Sequence, residues 1–129
     1  MVLYEKAVLK EVRRSLNKAI KDCIKWRVPV PWRKILFEDR IHSTRDWFAR
    51  TAMTDDGRYV ISVSASLFIA YREEIEDALR NILLHELAHT CKDGMNHGKG
   101  WKKWVGRMNK NGAKVNPTPY SKKEMPGWY

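Results

Sequence analysis

The sequence predicts one α+β domain, and three features of the chain carry that prediction. A length of 129 residues suits a single domain that buries its own core. Apolar residues recur with helical spacing near the N-terminus and again beyond residue 72. Two β-rich runs between residues 48 and 64 flank an Asp-Gly turn. We therefore expect one domain over residues 1–129, with a small antiparallel sheet and a core from about residue 4 to residue 110.

The N-terminal helix is predicted from about Tyr4 to Ile24, with a basic outer face. Pro29 and Pro31 prevent it from continuing. Its apolar stripe consists of Leu9, Val12, Leu16, Ala19, Ile20 and Cys23.

The sheet is predicted from three runs of residues. Residues 34–41 are interpreted as a strand. Residues 48–53 and 58–64 are separated by Thr54-Asp-Asp-Gly57, and an Asp-Gly turn between two such runs indicates a hairpin.

Two more helices are predicted after the hairpin. The first starts near Arg72, and its early acidic residues suit the positive end of the helix dipole. The second is short, because apolar residues at spacings of three and four occur only from Trp101 to Met108. Residues 111–129, with Pro117, Pro119 and Pro126, are expected to form an extended basic tail.

The helix that starts near Arg72 carries an H-E-x-x-H motif made by His85, Glu86 and His89. Residues four apart lie on one face of a helix, so both histidines can bind one metal ion, with Glu86 beside the open coordination position. This is the arrangement of metalloproteases. Two histidines on a partly apolar helix can also be ordinary core residues.

A third histidine, His97, follows His89 by eight residues, a spacing that differs from the metzincin pattern. His85-Glu-Leu-Ala-His89 together with His97-Gly98 and Trp101 resembles the SprT-like family, which includes the eukaryotic protease Spartan. Thr44-Arg-Asp-Trp-Phe-Ala-Arg50 is similar to a degenerate Arg-Trp-Gly segment of that family, and residues 59–67 are similar to its strand before the active-site helix. The resemblance covers about residues 40–110.

The resemblance implies a zincin-like minimal metalloprotease domain that acts on proteins bound or crosslinked to DNA. Many members also carry a four-cysteine zinc ribbon, which Cys23 and Cys91 cannot build, so we expect none here.

The expected chemistry needs one zinc ion per chain, held by His85, His89 and His97. Three neutral imidazoles leave a fourth position open for water, as catalytic zinc sites require. Glu86 is predicted to be the general base and then the proton carrier to the leaving amine. A second oxyanion donor is common in such sites, and the candidates by residue type are Arg45, Arg50, Tyr59 and Tyr71.

Several neighbouring residues have two interpretations. Cys91 is favoured as a buried thiol over a metal ligand, and His42 as an ordinary surface or core residue over a ligand. Trp101 and Trp104 are favoured as core residues over a contact surface. Asp93 and Asn96 could orient a ligand ring, and Asp93 could equally cap the loop. Gly98 and Gly100 could bring His97 to the metal or serve only as turn residues.

Positive charge is concentrated after the motif. Residues 1–89 contain 16 Lys and Arg against 13 Asp and Glu, whereas residues 90–129 contain 9 against 2. This imbalance favours a nucleic-acid partner over a merely solvated face, and no motif for base-specific reading is present. We expect sequence-independent DNA binding by Lys99, Lys102, Lys103, Arg107 and Lys110.

These observations predict a zinc-dependent endopeptidase of the SprT-like type that acts on proteins on DNA. The alternatives are a zinc-stabilised DNA-binding module without significant turnover and a general peptidase. The chain has no long apolar run and only two cysteines, so we expect no membrane association and a cytoplasmic location, or a host-cell cytoplasm if the gene is phage-encoded. We also expect a monomer.

Overall fold

The computed structural model describes residues 3–92 and 94–116, and their architecture is α+β as predicted. Asp93 and the tail prolines Pro117, Pro119 and Pro126 lie outside the described residues. The described residues form four α-helices, one short 3-10 helix (Trp32–Lys34) and a three-stranded sheet. The elements are α1 (Leu3–Lys25), β1 (Ile35–His42), β2 (Ala49–Met53), β3 (Tyr59–Ser64), α2 (Ala65–Ala70), α3 (Ile75–Thr90) and α4 (Lys99–Lys110).

The N-terminal helix α1 buries the stripe that its spacing predicted. Leu9, Val12, Leu16, Ala19 and Cys23 are all buried, and Ile20 is half-buried. The helix ends where Arg27 adopts a left-handed φ of 61° and the Val28 N–H donates to the Cys23 carbonyl at 2.8 Å. This reversal turns the chain toward β1 before the predicted proline stops are reached.

The predicted hairpin is present. Strands β2 and β3 pair antiparallel, from Ala49 opposite Val63 to Met53 opposite Tyr59. Gly57 supplies the left-handed turn residue with a φ of 82°, as the Asp-Gly signal requires.

The prediction that the sheet is antiparallel throughout is wrong, because β1 pairs parallel with β3. The strand order is β1-β3-β2, so the hairpin folds back to place β3 between the two earlier strands. The central position suits β3, whose last four residues are all buried, whereas β1 carries Glu38, Asp39 and Arg40 at an irregularity in its pairing. Turn signals predict only the local hairpin, and the non-local pairing follows from which strand is apolar enough for the middle.

Helix α2 was not predicted. The second hairpin run was expected to end at residue 64, as β3 does, but the family resemblance assigned residues 59–67 to a strand. The strand ends at Ser64, whose hydroxyl accepts a hydrogen bond from the Ser66 N–H and so begins the helix. Helix α2 then buries Leu67 against the core.

Helix α3 begins at Ile75, three residues later than predicted, and lies at the centre of the domain. It contacts α1, β2, α2 and α4, so that every residue from Ile82 to Thr90 is buried. A helix enclosed on all sides can hold polar groups only if each has a partner.

Helix α4 confirms the predicted C-terminal helix, with Trp101, Val105 and Met108 buried. Packed structure continues beyond residue 110, because Ala113 and Val115 are also buried. The Asn109 side chain holds this segment by donating to the Val115 carbonyl and accepting from its N–H. None of the helices described is long and apolar enough to cross a membrane.

Candidate metal centre

The three histidines of the motif region converge on one point. His85 and His89 lie one turn apart on α3, with their Nε2 atoms 3.2 Å apart. His97 lies in the connection from α3 to α4, and its Nε2 is 3.1 Å from Nε2 of His85. One ring nitrogen from each histidine lies within 4.8 Å of the other two, so the trio could hold a metal ion.

The geometry of the trio fits a tetrahedral ion. Zinc–imidazole bonds of about 2.0–2.1 Å in a tetrahedron place neighbouring nitrogens about 3.3 Å apart, close to the two separations found here. His89 donates from Nδ1 to the Gly94 carbonyl at 2.6 Å, which leaves the Nε2 lone pair directed at the other rings in the neutral tautomer. Imidazole nitrogen is a ligand that zinc and several other transition metals accept.

Trp101 packs against all three rings of the histidine trio. Its fully buried ring lies 4.9, 5.9 and 4.8 Å from the rings of His85, His89 and His97. Its indole N–H donates to the His85 carbonyl at 3.3 Å. The preference for Trp101 as a core residue is confirmed, and this core residue also fixes where the three rings stand.

Gly94 determines the path of the loop that carries His97. A Cβ at this position would lie 2.2 Å from the Ala88 carbonyl oxygen and 2.9 Å from that of Cys91. Only glycine allows the loop to pack this closely on the end of α3 and to present its carbonyl to His89. Gly94 was not predicted, whereas Gly98 and Gly100 were candidates, because a glycine required by close contact has no local signature in the sequence.

Glu86 is the charged residue buried beside the trio. It is 2% exposed, and its Oε2 lies 3.7 Å from Nε2 of His85. Burial raises the pKa of its carboxyl group to about 8, although a hydrogen bond from Thr51 acts in the opposite direction.

Thr51 on β2 holds this carboxylate in place. Its hydroxyl is 2.9 Å from Oε1 of Glu86 and 3.2 Å from the Glu86 carbonyl oxygen. Threonine in a strand has no feature that distinguishes it in sequence, so Thr51 was missed as well. The pairing depends on the packing of β2 against α3.

A cleft of about 440 Å³ opens onto the site. Of the four candidate oxyanion donors, only Arg50 lines it within the described part of the chain. Tyr71 instead packs edge-on against Phe48 and borders a separate pocket near Lys114. The residues that line the cleft are Trp47, Arg50, Thr51, Glu86, His89, Met95 and His97.

Comparison with known proteins identifies the family. The model of the SprT-like family matches residues 9–121, which is most of the chain. The chain belongs to the SprT-like family. Membership indicates a metallopeptidase-type domain, in agreement with the histidine trio. No curated protein and no solved structure gives a significant match.

Other residues near the SprT-like site have structural roles. Cys91 is 2% exposed and is not in the trio, so its interpretation as a buried thiol is confirmed. Burial raises the pKa of Cys91 and of Cys23 to about 12. His42 is half-buried and pairs with Glu38 at 3.0 Å. Asn96 accepts from the Gly98 N–H at the start of α4, so its side chain caps the loop.

The five α4 cations suggested for DNA binding are all exposed, in contrast to the trio. Lys103 and Arg107 lie over the half-buried ring of Trp104, at 4.6 and 5.4 Å from its centroid. Arg107 also donates to the Arg27 carbonyl, which ties α4 to the end of α1. A second basic surface lies on α1, whose outer face was predicted to be basic: it is a shallow groove lined by Lys10, Arg13, Arg14, Asn17, Lys18 and Lys21.

Proposed function

We propose that this protein is a zinc-dependent endopeptidase with a zincin-like active site, acting on proteins bound or crosslinked to DNA. The observation that carries the proposal is the position of Glu86. Its buried carboxylate is held by Thr51 next to a three-histidine site, at the bottom of an open cleft. A purely structural metal site does not need a carboxylate there.

His85, His89 and His97 would hold the zinc ion, and the Gly94 carbonyl keeps His89 in the tautomer that binding requires. A zinc ion held there supplies Lewis acidity toward water and toward the carbonyl of the scissile peptide bond.

Glu86 moves the proton. Its Oε1 accepts from Thr51, so Oε2, the oxygen measured 3.7 Å from His85, is the one available to a water molecule in the site. Oε2 takes a proton from the attacking water and returns it to the nitrogen of the leaving amine. Burial raises the pKa of Glu86 to about 8 in the metal-free site, and a zinc ion beside it would lower that pKa again, so that the ionised carboxylate can accept a proton near neutral pH.

Helix α4 is the part of the protein that would bind DNA. This helix begins two residues after His97 and carries five exposed Lys and Arg with no acidic residue. Phosphates bound along it would hold a DNA-attached protein close to the cleft. Membership of the SprT-like family, which includes Spartan, supports this choice of substrate.

The second candidate is a zinc-stabilised DNA-binding module. The burial of His85 and His89 and the contacts of Trp101 with all three rings favour it, because a metal ion bound by core residues would stabilise the folded chain. The two candidates differ in whether Glu86 matters for turnover.

The test compares wild type with Glu86→Gln, both with measured zinc content, on an unfolded generic protein with and without single-stranded DNA. The variant should keep zinc and fold but cleave about 10²- to 10⁴-fold more slowly, because an amide cannot accept the proton. Glu38→Gln is a matched control, since Glu38 also accepts from a strand hydroxyl, that of Ser62, but does not line the cleft.

Equal cleavage by zinc-loaded wild type and Glu86→Gln would exclude the proposed role of Glu86. Zinc binding and DNA binding without any cleavage by the wild type would establish the binding module instead. Cleavage that DNA leaves unchanged would favour a general peptidase.

A further inference from the structure

Arg50 occupies a distinctive position at the cleft. It is on β2, immediately before Thr51, the residue that holds Glu86. Among the described residues that line the cleft it is the one Lys or Arg. It is exposed and makes no ion pair within residues 3–92 and 94–116.

The Arg50 side chain is held by an aromatic ring. Its guanidinium carbon lies 4.6 Å from the ring centroid of Trp47, and Trp47 is only 9% exposed. A guanidinium stacked on a fixed ring keeps its orientation while its edge remains free to donate hydrogen bonds. That edge matches a carboxylate, which accepts two parallel N–H bonds from it.

The surroundings of Arg50 favour an anionic group from a peptide. Met95, which is 44% exposed, also lines the cleft and offers an apolar contact for a side-chain stem. His89, His97 and Glu86 line the same cleft, so a group bound to Arg50 would belong to the chain that reaches the reacting centre.

We propose that Arg50, stacked on Trp47, forms a subsite that binds a carboxylate of the peptide substrate. This inference rests on the proposed peptidase function and deepens it, because it gives the cleft a preference for an acidic group near the scissile bond. The carboxylate has two possible sources, an Asp or Glu side chain and the free C-terminus of a short peptide.

Cleavage of matched peptides tests the subsite. Zinc-loaded protein is given internally quenched peptides that carry Glu or Gln at one position at a time around the scissile bond. Each peptide is made with a free and with an amidated C-terminus, which separates the two sources. The wild type should cleave the best Glu peptide about tenfold faster, in kcat/KM, than its Gln counterpart.

Variants assign the preference to Arg50. Arg50→Gln should abolish it, so that the ratio of kcat/KM for the Glu peptide to that for the Gln peptide falls to about one, and Arg50→Lys should keep only part of it because an ammonium lacks the planar fork. Arg33→Gln is the matched control, since Arg33 also stacks on a tryptophan, Trp32 at 4.7 Å, but does not line the cleft.

Binding to an inactive protein provides a readout that needs no turnover. Glu86→Gln should bind the uncleaved Glu peptide about tenfold more tightly than the Gln peptide, and Glu86→Gln with Arg50→Gln should bind both alike.

Equal binding and equal cleavage of the Glu and Gln peptides would overturn the subsite. The proposed peptidase function would still stand if cleavage of both peptides depended on Glu86. Loss of DNA affinity in Arg50→Gln, with peptide preference intact, would assign Arg50 to phosphate and also overturn it. Absence of Glu86-dependent cleavage of every peptide would overturn the proposed function and the subsite together.

Discussion

Helices α3 and α4 are consecutive in the chain and pack against each other, yet α3 buries polar side chains whereas α4 leaves them exposed. The last nine residues of α3 are buried, including two histidines and Glu86. Helix α4 buries only Trp101, Val105 and Met108 and leaves five cations in water.

The difference shows how each helix can respond to change. Two buried polar groups of α3 depend on particular partners, Glu86 on Thr51 and His89 on Gly94, so losing either partner should have a large effect. The cations of α4 are solvated already and gain only when a polyanion arrives, so their effects should be small, salt-dependent and roughly additive.

The largest expected effect is at the metal itself. His97→Ala removes one of the three proposed ligands, so zinc affinity should fall by more than the about 10- to 100-fold that is lost when a ligand loses its hydrogen-bond partner. Competition with a chelator of known affinity measures this. Lys99→Ala, two residues away on exposed surface, is the control and should retain zinc. Full zinc retention by His97→Ala would remove His97 from the site.

The second expected effect concerns the loop that contains Gly94 and its contribution to zinc affinity. Gly94→Ala would place a Cβ against the Ala88 carbonyl, so the loop must move and His89 loses its acceptor. Zinc affinity should fall about 10- to 100-fold, and thermal stability should fall as well. Gly106→Ala on α4 is matched, because its Cβ would meet no atom within 4 Å, and it should stabilise the helix by roughly 0.5–1 kcal/mol. Equal behaviour of the two variants would contradict the close-contact role of Gly94.

The third effect is a pH dependence that arises from burial in α3. In metal-free protein, burial raises the pKa of Glu86 from its ordinary value of 4.5 to about 8, so the folded state keeps a proton that the unfolded state has lost. The free energy of unfolding of the wild type should therefore fall, relative to Glu86→Gln, as pH rises from 5 to 8, by up to about 1.4 kcal/mol per pH unit.

Urea unfolding of both proteins across this pH range measures the difference. Adding zinc should flatten it, because a nearby cation favours the ionised carboxylate. A difference that does not change with pH in the metal-free proteins would mean that Glu86 is not held protonated.

The smallest expected effect is on α4. Lys103→Glu with Lys110→Glu should weaken binding to DNA of any sequence and lower the slope of log affinity against log salt by about two units. Arg107 is left in place because its contact with Arg27 also supports the fold. The same two changes at Lys18 and Lys21, in the basic groove of α1, are the control. A larger loss from the α1 pair would move the DNA surface to that helix.

The same contrast explains what the sequence could predict. Periodic spacing predicted α1, α3 and α4, and the H-E-x-x-H motif with a third histidine predicted the trio, because these signals lie in short stretches of chain. Thr51, Gly94 and the parallel pairing of β1 with β3 were not predictable in this way. Each depends on residues distant in sequence or on a close contact that only the folded chain creates.

The two buried cysteines can be used to measure how often the core opens. Cys23 lies on α1 and Cys91 directly follows α3, and burial raises the pKa of both thiols to about 12. A thiol reagent attacks the thiolate and needs access to it, so neither sulfur can react at neutral pH until the helices separate. The rate of labelling therefore measures how often the enclosure around α3 opens, and the ratio of rates with and without zinc shows how much of that opening the metal prevents.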